Sequence, residues 1–307
     1  MFRLNKIQHP NNLLDYYHLQ NDEVSCKIYP NLGASLQQFG IQDTEIIQGI
    51  QPTEDHLLQF RRYYPSSFLF PFPGRIEGGN FEYEGNHYQL PTNEGGRDNA
   101  IHGFIAEAPF ELTENSLGDE EALLNFQYVY DGTYPGFPFP SKLNIIYKVS
   151  TSIFEVRFTV TNTGNSSFPF GLGWHPYFKS ENIETSNLQF KASEQLIGDE
   201  NQIPTGTEPN QFRETIGDQV LDDGFILEEP TVILNATTYD MRMNTFINDH
   251  SYLQLYTPPS RTSIAIEPMT CEPNVLNSGN GLLKITPKET FEWKIQLQLR
   301  ILHKGSF

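Results

Sequence analysis

The sequence predicts an all-β protein built as one large antiparallel β-sandwich. Two observations carry this prediction: several segments have a hydrophobic period of two, and 21 Pro and 23 Gly are spread over 307 residues without a low-complexity linker. Antiparallel strands alternate buried and exposed side chains, while Pro and Gly interrupt helices and mark turns. Because β-sandwiches often exceed about 200 residues as single domains, we expect one domain over residues 1–307.

The clearest alternation lies in residues 153–161 and 291–301. From position 154 to 160 the even-numbered residues are Phe or Val, with Glu, Arg and Thr between them. From 291 to 301 the odd-numbered residues are all apolar and the even-numbered ones are all polar. Both segments are therefore predicted as half-buried strands. Shorter runs of the same kind occupy residues 123–130, 143–150 and 252–256.

Three further segments complete the prediction of elements. Residues 79–91, "GNFEYEGNHYQLP", place Glu-Gly-Asn between two short alternating arms and predict a β-hairpin. Residues 52–65 are the best helical candidate, and they are short. The acidic, Asn- and Gln-rich residues 193–222 are expected to form a long surface excursion, not a domain boundary.

Composition excludes several classes of function. The chain has 38 acidic and 20 basic residues, a net charge of −18, which repels nucleic acid and anionic membranes. The two cysteines, Cys26 and Cys271, are too few and too far apart for a disulfide framework or a Cys-based zinc site, so reduced thiols are expected. No signal-peptide stretch or apolar run of ~20 residues is visible, which favours a cytoplasmic protein that does not enter membranes.

The segment "GLGWHPYFKS", residues 171–180, contains the histidine with the strongest case for chemistry. Gly171 and Gly173 free the backbone to bend or to approach a ligand, and Pro176 biases His175 toward an extended conformation. The flanking Trp174 and Tyr177 could each stack on the apolar face of a sugar. A histidine packed into an aromatic core is the alternative interpretation.

Four other residues are candidates for the same site. His102 precedes a glycine in "NAIHGF", Arg75 stands alone among aromatics and prolines in "FPFPGRIEGGNF", and Asp222 lies in "VLDDGF". Glu267 ends the apolar run of "TSIAIEPM" and is followed by proline. A carboxyl in that position is rigid and partly desolvated, which raises its pKa toward the range of a general base. The alternatives are a structural histidine, a surface arginine and a turn aspartate.

Together and in this order, "GRIEGGNFEYEGNHYQLPTNEG", "NAIHGF", "GLGWHPYF", "LDDGF" and "IAIEPMTCEPNVLN" resemble the aldose 1-epimerase (mutarotase) family. The resemblance covers residues from about 65 to about 300. It implies the family's large β-sandwich, the supersandwich of galactose mutarotases. In galactose mutarotases the corresponding histidine is followed by Tyr-Phe-Asn-Leu, whereas this chain has "HPYFKS". The "EPMT" run also resembles the aldose-epimerase-like branch, so the resemblance does not imply a preference for galactose.

The resemblance also implies a role for each candidate. Glu267 is the general base and His175 the general acid of a cofactor-independent isomerase that opens and closes the ring of a free monosaccharide. The resemblance implies that His102, Arg75 and Asp222 bind the sugar. Trp174 and Tyr177, the aromatics that flank His175, are expected to bind it as well. No metal is implied, and no GxGxxG, P-loop or HExxH motif is present.

This chemistry generates geometric and electrostatic expectations. A base must take a proton from the anomeric hydroxyl while an acid protonates the ring oxygen. We therefore expect Glu267 and His175 to face each other across a shared pocket, one on each side of the sugar. An acidic site favours the imidazolium, so we expect a raised pKa for His175 and a bell-shaped pH profile with one carboxylate and one imidazole limb.

Alternative functions remain open from the sequence alone. A non-catalytic carbohydrate-binding protein of the same fold would need Arg75 and the aromatics, but not both histidines and Glu267. A hexose-6-phosphate mutarotase would need extra cations, which Arg61 and Arg62 could supply. A glycosidase could use Asp222 and Glu267 but would leave the histidines unused. A cupin-type metal site is disfavoured because no H-x-H occurs.

Overall fold

A computed structural model describes residues 1–246 and 251–302. It confirms the all-β prediction. In chain order, the strands of the described residues are β1 (Arg3–Ile7), β2 (Tyr16–Gln20), β3 (Val24–Tyr29), β4 (Ser35–Ile41), β5 (Thr44–Gln48), β6 (Phe68–Leu69), β7 (Arg75–Ile76), β8 (Asn80–Tyr83), β9 (Asn86–Gln89), β10 (Ala100–Ile101), β11 (Glu111–Leu117), β12 (Glu121–Tyr130), β13 (Ser141–Ser150), β14 (Ile153–Asn162), β15 (Phe168–Phe170), β16 (Gly173–Trp174), β17 (Tyr177–Lys179), β18 (Asn187–Phe190), β19 (Glu194–Gly198), β20 (Pro204–Pro209), β21 (Asp222–Leu227), β22 (Thr231–Asn235), β23 (Tyr239–Phe246), β24 (Ser251–Tyr256), β25 (Ser263–Met269), β26 (Leu283–Ile285) and β27 (Thr290–Ile301).

Helices are few and short in the described residues. The helices are α1 (Glu54–Tyr63) and α2 (Val275–Ser278), with 3-10 turns at Asn12–Leu14, Glu77–Gly79 and Ile183–Thr185. The predicted helix within residues 52–65 is thus confirmed as α1. It begins where the Thr53 side chain accepts a hydrogen bond from the N–H of His56, and it ends at Tyr64 in the left-handed conformation.

Two large antiparallel sheets dominate the fold. The larger sheet has the order β1-β2-β3-β4-β5-β17-β25-β24-β21-β19-β20, with β16 attached to β25 and β6 attached to β16. The second sheet has the order β11-β12-β13-β14-β27-β23-β22-β18. Three two-stranded sheets, β7 with β10, β8 with β9, and β15 with β26, complete the pairing among the described residues.

The core lies between the two large sheets. Most of their buried apolar side chains belong to one hydrophobic cluster, and Phe39 of the larger sheet contacts Phe154 of the second sheet with ring centroids 4.9 Å apart. Such facing sheets bury the apolar side of each strand. One domain over residues 1–307 stays a prediction.

The alternating segments behave as their patterns predict. Strands β14 and β27 pair along nine positions, including Phe158 with Trp293, and both of these side chains are buried. The predicted hairpin is formed by β8 and β9, which are joined at Glu84 and Gly85. The predicted surface excursion differs from expectation: part of it forms β19 and β20, a hairpin at the edge of the larger sheet, with β19 paired to β21.

Two other expectations bear on the chain as a whole. Cys26 and Cys271 are both free and buried. Across residues 1–246 and 251–302, the helices are all too short or too polar to cross a bilayer.

The expectation for Trp174 is wrong. Its side chain is completely buried and lies between the sheets, stacked on Phe68 at 6.0 Å and on Phe154 at 6.2 Å between ring centroids. Neighbouring residues in extended backbone point to opposite sides of a sheet. His175 therefore faces away from the core while Trp174 faces into it, and the tryptophan cannot stack on a ligand that His175 contacts.

The buried stack predicts how Trp174 variants behave. Replacement by Ala should lower the free energy of unfolding by about 3–5 kcal/mol, as for large aromatics in other cores, and Trp174→Phe should cost clearly less. Urea denaturation followed by circular dichroism measures both. A stable Trp174→Phe protein that has lost sugar binding would contradict a purely structural role.

Candidate active site

Sheet register brings two candidate residues together. Gly173 of β16 pairs with Met269 of β25, and the same antiparallel register resumes in β17, also paired to β25. His175 lies midway between these two pairings and is therefore opposite Glu267. On the side away from β25, the backbone N–H of His175 donates a hydrogen bond to the carbonyl of Ser67 at 3.0 Å.

His175 and Glu267 form a buried contact. The imidazole Nε2 is 3.3 Å from Oε1 of the carboxyl group, and the two residues are only 7% and 2% exposed. The two groups are therefore direct neighbours, at the outer edge of hydrogen-bonding distance. Glu267 lies on a buried strand, as the sequence predicts, but the strand does not end there: β25 continues through Pro268 to Met269.

Burial moves the two pKa values in opposite directions. Desolvation, assisted by the charge of Asp222 and opposed by Arg75, raises the pKa of Glu267 well above its usual range, as expected. Desolvation lowers the pKa of His175 to about 4, although a backbone hydrogen bond acts in the other direction. The expected increase in the pKa of His175 is thus wrong, because loss of water outweighs the acidic surroundings. Both shifts favour the uncharged forms, a protonated carboxyl group on Glu267 and a neutral imidazole on His175.

The contact also corrects the expected arrangement of the sugar. We expected Glu267 and His175 on opposite sides of the ring. Because their nearest atoms are 3.3 Å apart, no ring can lie between them. Both instead face the same part of one cavity, so they approach a ligand from the same side.

His102 is held beside the pair in a defined tautomer. Its ring contacts the ring of His175 edge-on with centroids 5.5 Å apart. Its Nδ1 accepts a hydrogen bond from the N–H of Gly74 at 3.2 Å, and its backbone N–H donates to the Gly74 carbonyl. Burial, followed by the charges of His175 and Arg75, lowers its pKa well below the usual value. The neutral ring therefore carries its proton on Nε2, as a hydrogen-bond donor.

Arg75 reaches the cavity while engaged with an unpredicted acid. Its Nε lies 3.0 Å from both carboxylate oxygens of Glu94, and its Nη2 is 2.9 Å from one of them. Arg97 and Asn99 also donate to Glu94. Burial would raise the pKa of Glu94, but the hydrogen bonds and charge of Arg75, with those partners, hold it below its usual value. This ion pair fixes the guanidinium in one orientation.

Asp222 and Tyr177 complete the predicted set. Asp222 begins β21 and accepts a hydrogen bond from Gln254 at 3.0 Å. The ring of Tyr177 stacks on His175 with centroids 5.2 Å apart and an angle of 21°. Positions 175 and 177 share a face because they are two residues apart in extended backbone.

One cavity of about 300 Å³ is lined by all of the site residues that the sequence predicts, except Trp174. That volume is at the lower end of small-molecule sites. Several of its walls were not predicted from the sequence, including the aromatic pair at the end of α1 and the polar face of β24. The additional lining residues are Arg62, Tyr63, Tyr64, Gly74, Ile101, Gln254, Tyr256, Met269 and Pro273. The signal for β24 was present: within residues 252–256, Gln254 and Tyr256 alternate with two leucines.

Comparisons with known proteins bear on the family and on the fold. The model of the aldose 1-epimerase family matches residues 15–298. The chain is 26% identical over 268 residues to the uncharacterized protein YihR of Escherichia coli K12, covering 82% of this chain and 83% of that protein.

Two solved structures have the same fold. A galactose mutarotase-like protein of Clostridium acetobutylicum is 16% identical with a TM-score of 0.85, covering 98% of this chain and 99% of the other. A galactose 1-epimerase of Lactobacillus acidophilus is 18% identical with a TM-score of 0.78, covering 99% of both chains.

The fold is therefore that of the galactose mutarotase-like β-sandwich proteins, with a cavity that gathers acid, base and hydrogen-bonding groups. The family match extends over nearly the whole chain. The chain belongs to the aldose 1-epimerase family.

The turn that carries His102 predicts a sensitive glycine. Gly103 has a φ of 68°, and a Cβ added there would collide with the carbonyl oxygen of Phe70. We expect Gly103→Ala to displace His102, to lower the melting temperature by several degrees, as a loss of about 1–3 kcal/mol implies, and to weaken sugar binding. Calorimetry and a binding titration measure these effects. Gly206→Ala is the matched control because a Cβ there meets only ordinary contacts; equal behaviour of the two variants would contradict the constraint.

Proposed function

We propose that the protein is an aldose 1-epimerase that interconverts the α and β anomers of a free aldose by general acid–base catalysis. The observation that carries this proposal is the buried 3.3 Å contact between His175 and Glu267 in a cavity of monosaccharide size. Carboxyl and imidazole groups with strongly shifted pKa values in a concave site are typical of catalytic acids and bases.

The contact suits the reaction because the two sugar oxygens that exchange protons are bonded to the same carbon. The anomeric hydroxyl and the ring oxygen both sit on C1, so an acid and a base that serve them must be neighbours. Glu267 takes the hydroxyl proton, the O–H electron pair becomes the second bond of the C1 carbonyl, and the C1–ring-oxygen bond breaks. The departing ring oxygen takes a proton from His175.

The reverse steps complete the reaction. The open aldehyde rotates about its C1–C2 bond and presents the other face of the carbonyl. His175 then removes the proton from the returning hydroxyl, and Glu267 protonates the carbonyl oxygen as the ring closes. Each group therefore acts once as acid and once as base, and the sugar leaves with the pair unchanged.

The resting proton must first move along the contact. The raised pKa of Glu267 and the lowered pKa of His175 favour a resting proton on Glu267, whereas ring opening needs it on His175. Since both arrangements hold one proton, the transfer requires no exchange with solvent. Arg75, whose charge lowers the pKa of Glu267, favours the ionised carboxylate that this step produces.

The remaining cavity groups would orient the sugar. His102 offers an Nε2–H donor beside His175, Asp222 offers carboxylate oxygens, and Tyr177 supports the catalytic imidazole by stacking. Positioned acids and bases each contribute roughly 10²–10⁴ in rate. Two acting together account for about 5–11 kcal/mol of barrier reduction.

The rival functions fit less well. A protein that only binds carbohydrate gains nothing from burying Glu267, since desolvating a carboxyl group opposes folding. For a phosphorylated aldose, only one of the two candidate arginines is at the site: Arg62 lines the cavity, whereas Arg61 is paired with Glu107 at 2.7 Å.

Glu267→Gln is expected to abolish the proton transfer while keeping the shape of the site. The rate of anomer interconversion should fall by about 10²–10⁴, with sugar binding retained. Polarimetry on freshly dissolved α-sugars and a binding titration measure the two quantities. Glu272→Gln, a second buried glutamate five residues later, is the matched control and should keep its rate. Wild-type turnover in Glu267→Gln would rule out Glu267 as the base.

The pH dependence of kcat/KM should be bell-shaped, with its acid limb near pH 4. Below that pH, His175 also becomes protonated, since its pKa is lowered to about 4, and the pair has no base. As pH rises through the raised pKa of Glu267, the pair loses its proton and has no acid. Anomer exchange measured by NMR over a range of about pH 3.5 to 10 tests this, with circular dichroism confirming folding at each pH. An acid limb near the ordinary imidazole pKa of about 6.5 would contradict the assignment.

A further inference from the structure

Strand β6 pairs with β16 on the edge away from β25, and its register continues past its first residue. Phe68 pairs with Trp174, and the next step of the same register sets Ser67 opposite His175. The backbone agrees with this step, since the N–H of His175 donates to the Ser67 carbonyl at 3.0 Å. His175 thus lies in one cross-strand row between two neighbours, with Glu267 on one side and Ser67 on the other.

A β-bulge forms where this row meets the start of β6. The carbonyl of His175 accepts the N–H of Ser66 at 2.8 Å, while its N–H donates to Ser67, so two residues oppose one. Ser66 has a φ of 54°, the left-handed conformation that the first residue of a G1 bulge adopts. The bulge therefore takes up the extra residue at position 66 and leaves Ser67 as the direct partner of His175.

The side chains of Ser67 and His175 point to the same face of the sheet. Direct partners on antiparallel strands share a face, as the preceding pair shows, since Phe68 and Trp174 stack on each other in the core. Faces alternate along a strand, so Ser67 and His175 both point away from that core. Ser67 is fully buried and does not line the cavity. It therefore lies beside the imidazole, where a ligand does not reach.

Two buried polar atoms of this row have no hydrogen-bond partner among the described residues: Oγ of Ser67 and Nδ1 of His175. Polar atoms that are shielded from water cost free energy when they stay unpaired. The two are complementary, because an imidazole N–H donates and a hydroxyl oxygen accepts. Direct cross-strand partners have their Cβ atoms about 4.5–5.5 Å apart. Rotation of the Ser67 hydroxyl group about χ1 is therefore a small change that satisfies both atoms.

The backbone carbonyl of His175 is the rival acceptor for a proton on Nδ1. A backbone hydrogen bond at His175 raises the pKa of the ring, which an acceptor does by favouring the protonated form. The same carbonyl already accepts the N–H of Ser66 at 2.8 Å, however, and leaves Nδ1 without a full hydrogen bond. The carbonyl thus favours a proton on this side of the ring, and the hydroxyl group of Ser67 is the neighbour that can accept it.

The proposed reaction needs that proton on Nδ1 at every stage. Nε2 faces Glu267 at 3.3 Å, and it must be free to take the proton of the carboxyl group. A ring that already carries its proton on Nε2 cannot take a second one there. Glu267 does not fix the tautomer by itself, because a protonated carboxyl group can donate or accept. Once Nε2 is protonated, the imidazolium has two N–H groups, and the one on Nδ1 needs an acceptor inside the protein.

We propose that Ser67 is a positioning residue for the acid–base pair: its hydroxyl oxygen accepts the Nδ1–H of His175 and holds the ring in the tautomer whose Nε2 is open toward Glu267. This inference rests on the proposed function and deepens it, because it adds a third member to the row of His175 and Glu267. Ser67 acts on the sugar only through His175.

The test changes the hydroxyl group of Ser67 and two other buried hydroxyl groups. Ser67→Ala removes the acceptor without adding volume, and Ser67→Thr keeps it. Ser141→Ala is the matched control, since Ser141 on β13 is also fully buried and its Oγ also lacks a partner within the described chain. Ser66→Gly removes the neighbouring hydroxyl group, and glycine adopts the left-handed conformation without strain. Ser67→Cys, a poorer acceptor of similar shape, replaces Ser67→Ala if the alanine protein does not fold.

Nitrogen NMR at neutral pH measures the tautomer of the His175 ring, because protonated and unprotonated ring nitrogens give separate signals. The signals are assigned by their loss in His175→Gln. We expect a mixture of both tautomers in Ser67→Ala. We expect the proton on Nδ1 in wild-type protein and in three variants: Ser67→Thr, Ser66→Gly and Ser141→Ala.

Polarimetry on freshly dissolved α-glucose and α-galactose measures the consequence for the reaction. Ser67→Ala should lower kcat by about 3- to 10-fold, as the loss of one neutral hydrogen bond implies. Its KM should not change, because Ser67 does not line the cavity. Ser67→Thr should restore kcat, and the other two serine variants should keep it.

The outcomes separate this inference from the proposed function. A wild-type ring with its proton on Nε2 overturns the inference, and so does a Ser67→Ala protein that keeps either the wild-type tautomer or the wild-type kcat. A change of tautomer in Ser66→Gly in place of Ser67→Ala overturns it equally. The proposed function stands in each of these cases. If wild-type protein accelerates neither these nor other aldoses, the proposed function fails and the role of Ser67 fails with it.

Discussion

The contact between one imidazole and one carboxyl group, both excluded from water, is the constraint on which the rest of the site depends. It is set by sheet register: two short strands on either side of His175 pair with the strand that carries Glu267. In water the two groups would ionise independently near their usual pKa values. Inside the sheet, burial disfavours both charges: it raises the pKa of Glu267 and lowers that of His175.

In the proposed mechanism, the groups around the pair bind the sugar and the pair itself transfers the proton. Glu94 engages Nε and Nη2 of Arg75, so the cation at the site is already paired and only partly offsets the raised pKa of Glu267. His102 is kept neutral by burial and by its neighbours, so it can donate but not compete for the proton. A neutral ligand suits a chain with a net charge of −18, since it is not repelled by the surrounding field.

The sequence predicts individual strands better than it predicts which strands pair in the sheets. Alternation identifies β14 and β27, and the resemblance identifies five groups that share the cavity. The order of strands in the sheets is absent from any local pattern, because it depends on contacts between distant segments. The prediction that Trp174 contacts the sugar rests only on its proximity to His175 in the sequence. The period of two already assigns the two residues to opposite faces. The direction of the pKa shift of His175 required its burial, which only the packed structure supplies.

Nitrogen NMR of the histidine rings measures most directly whether the His175 ring is neutral or charged. The signal of His175 is assigned by its loss in His175→Gln. We predict a His175 ring that stays neutral from neutral pH downward and becomes charged only near its lowered pKa of about 4. A ring that is already positively charged at about pH 6, near the ordinary imidazole pKa, would contradict this account, because the proton would then reside on the imidazole and burial would not govern the pair.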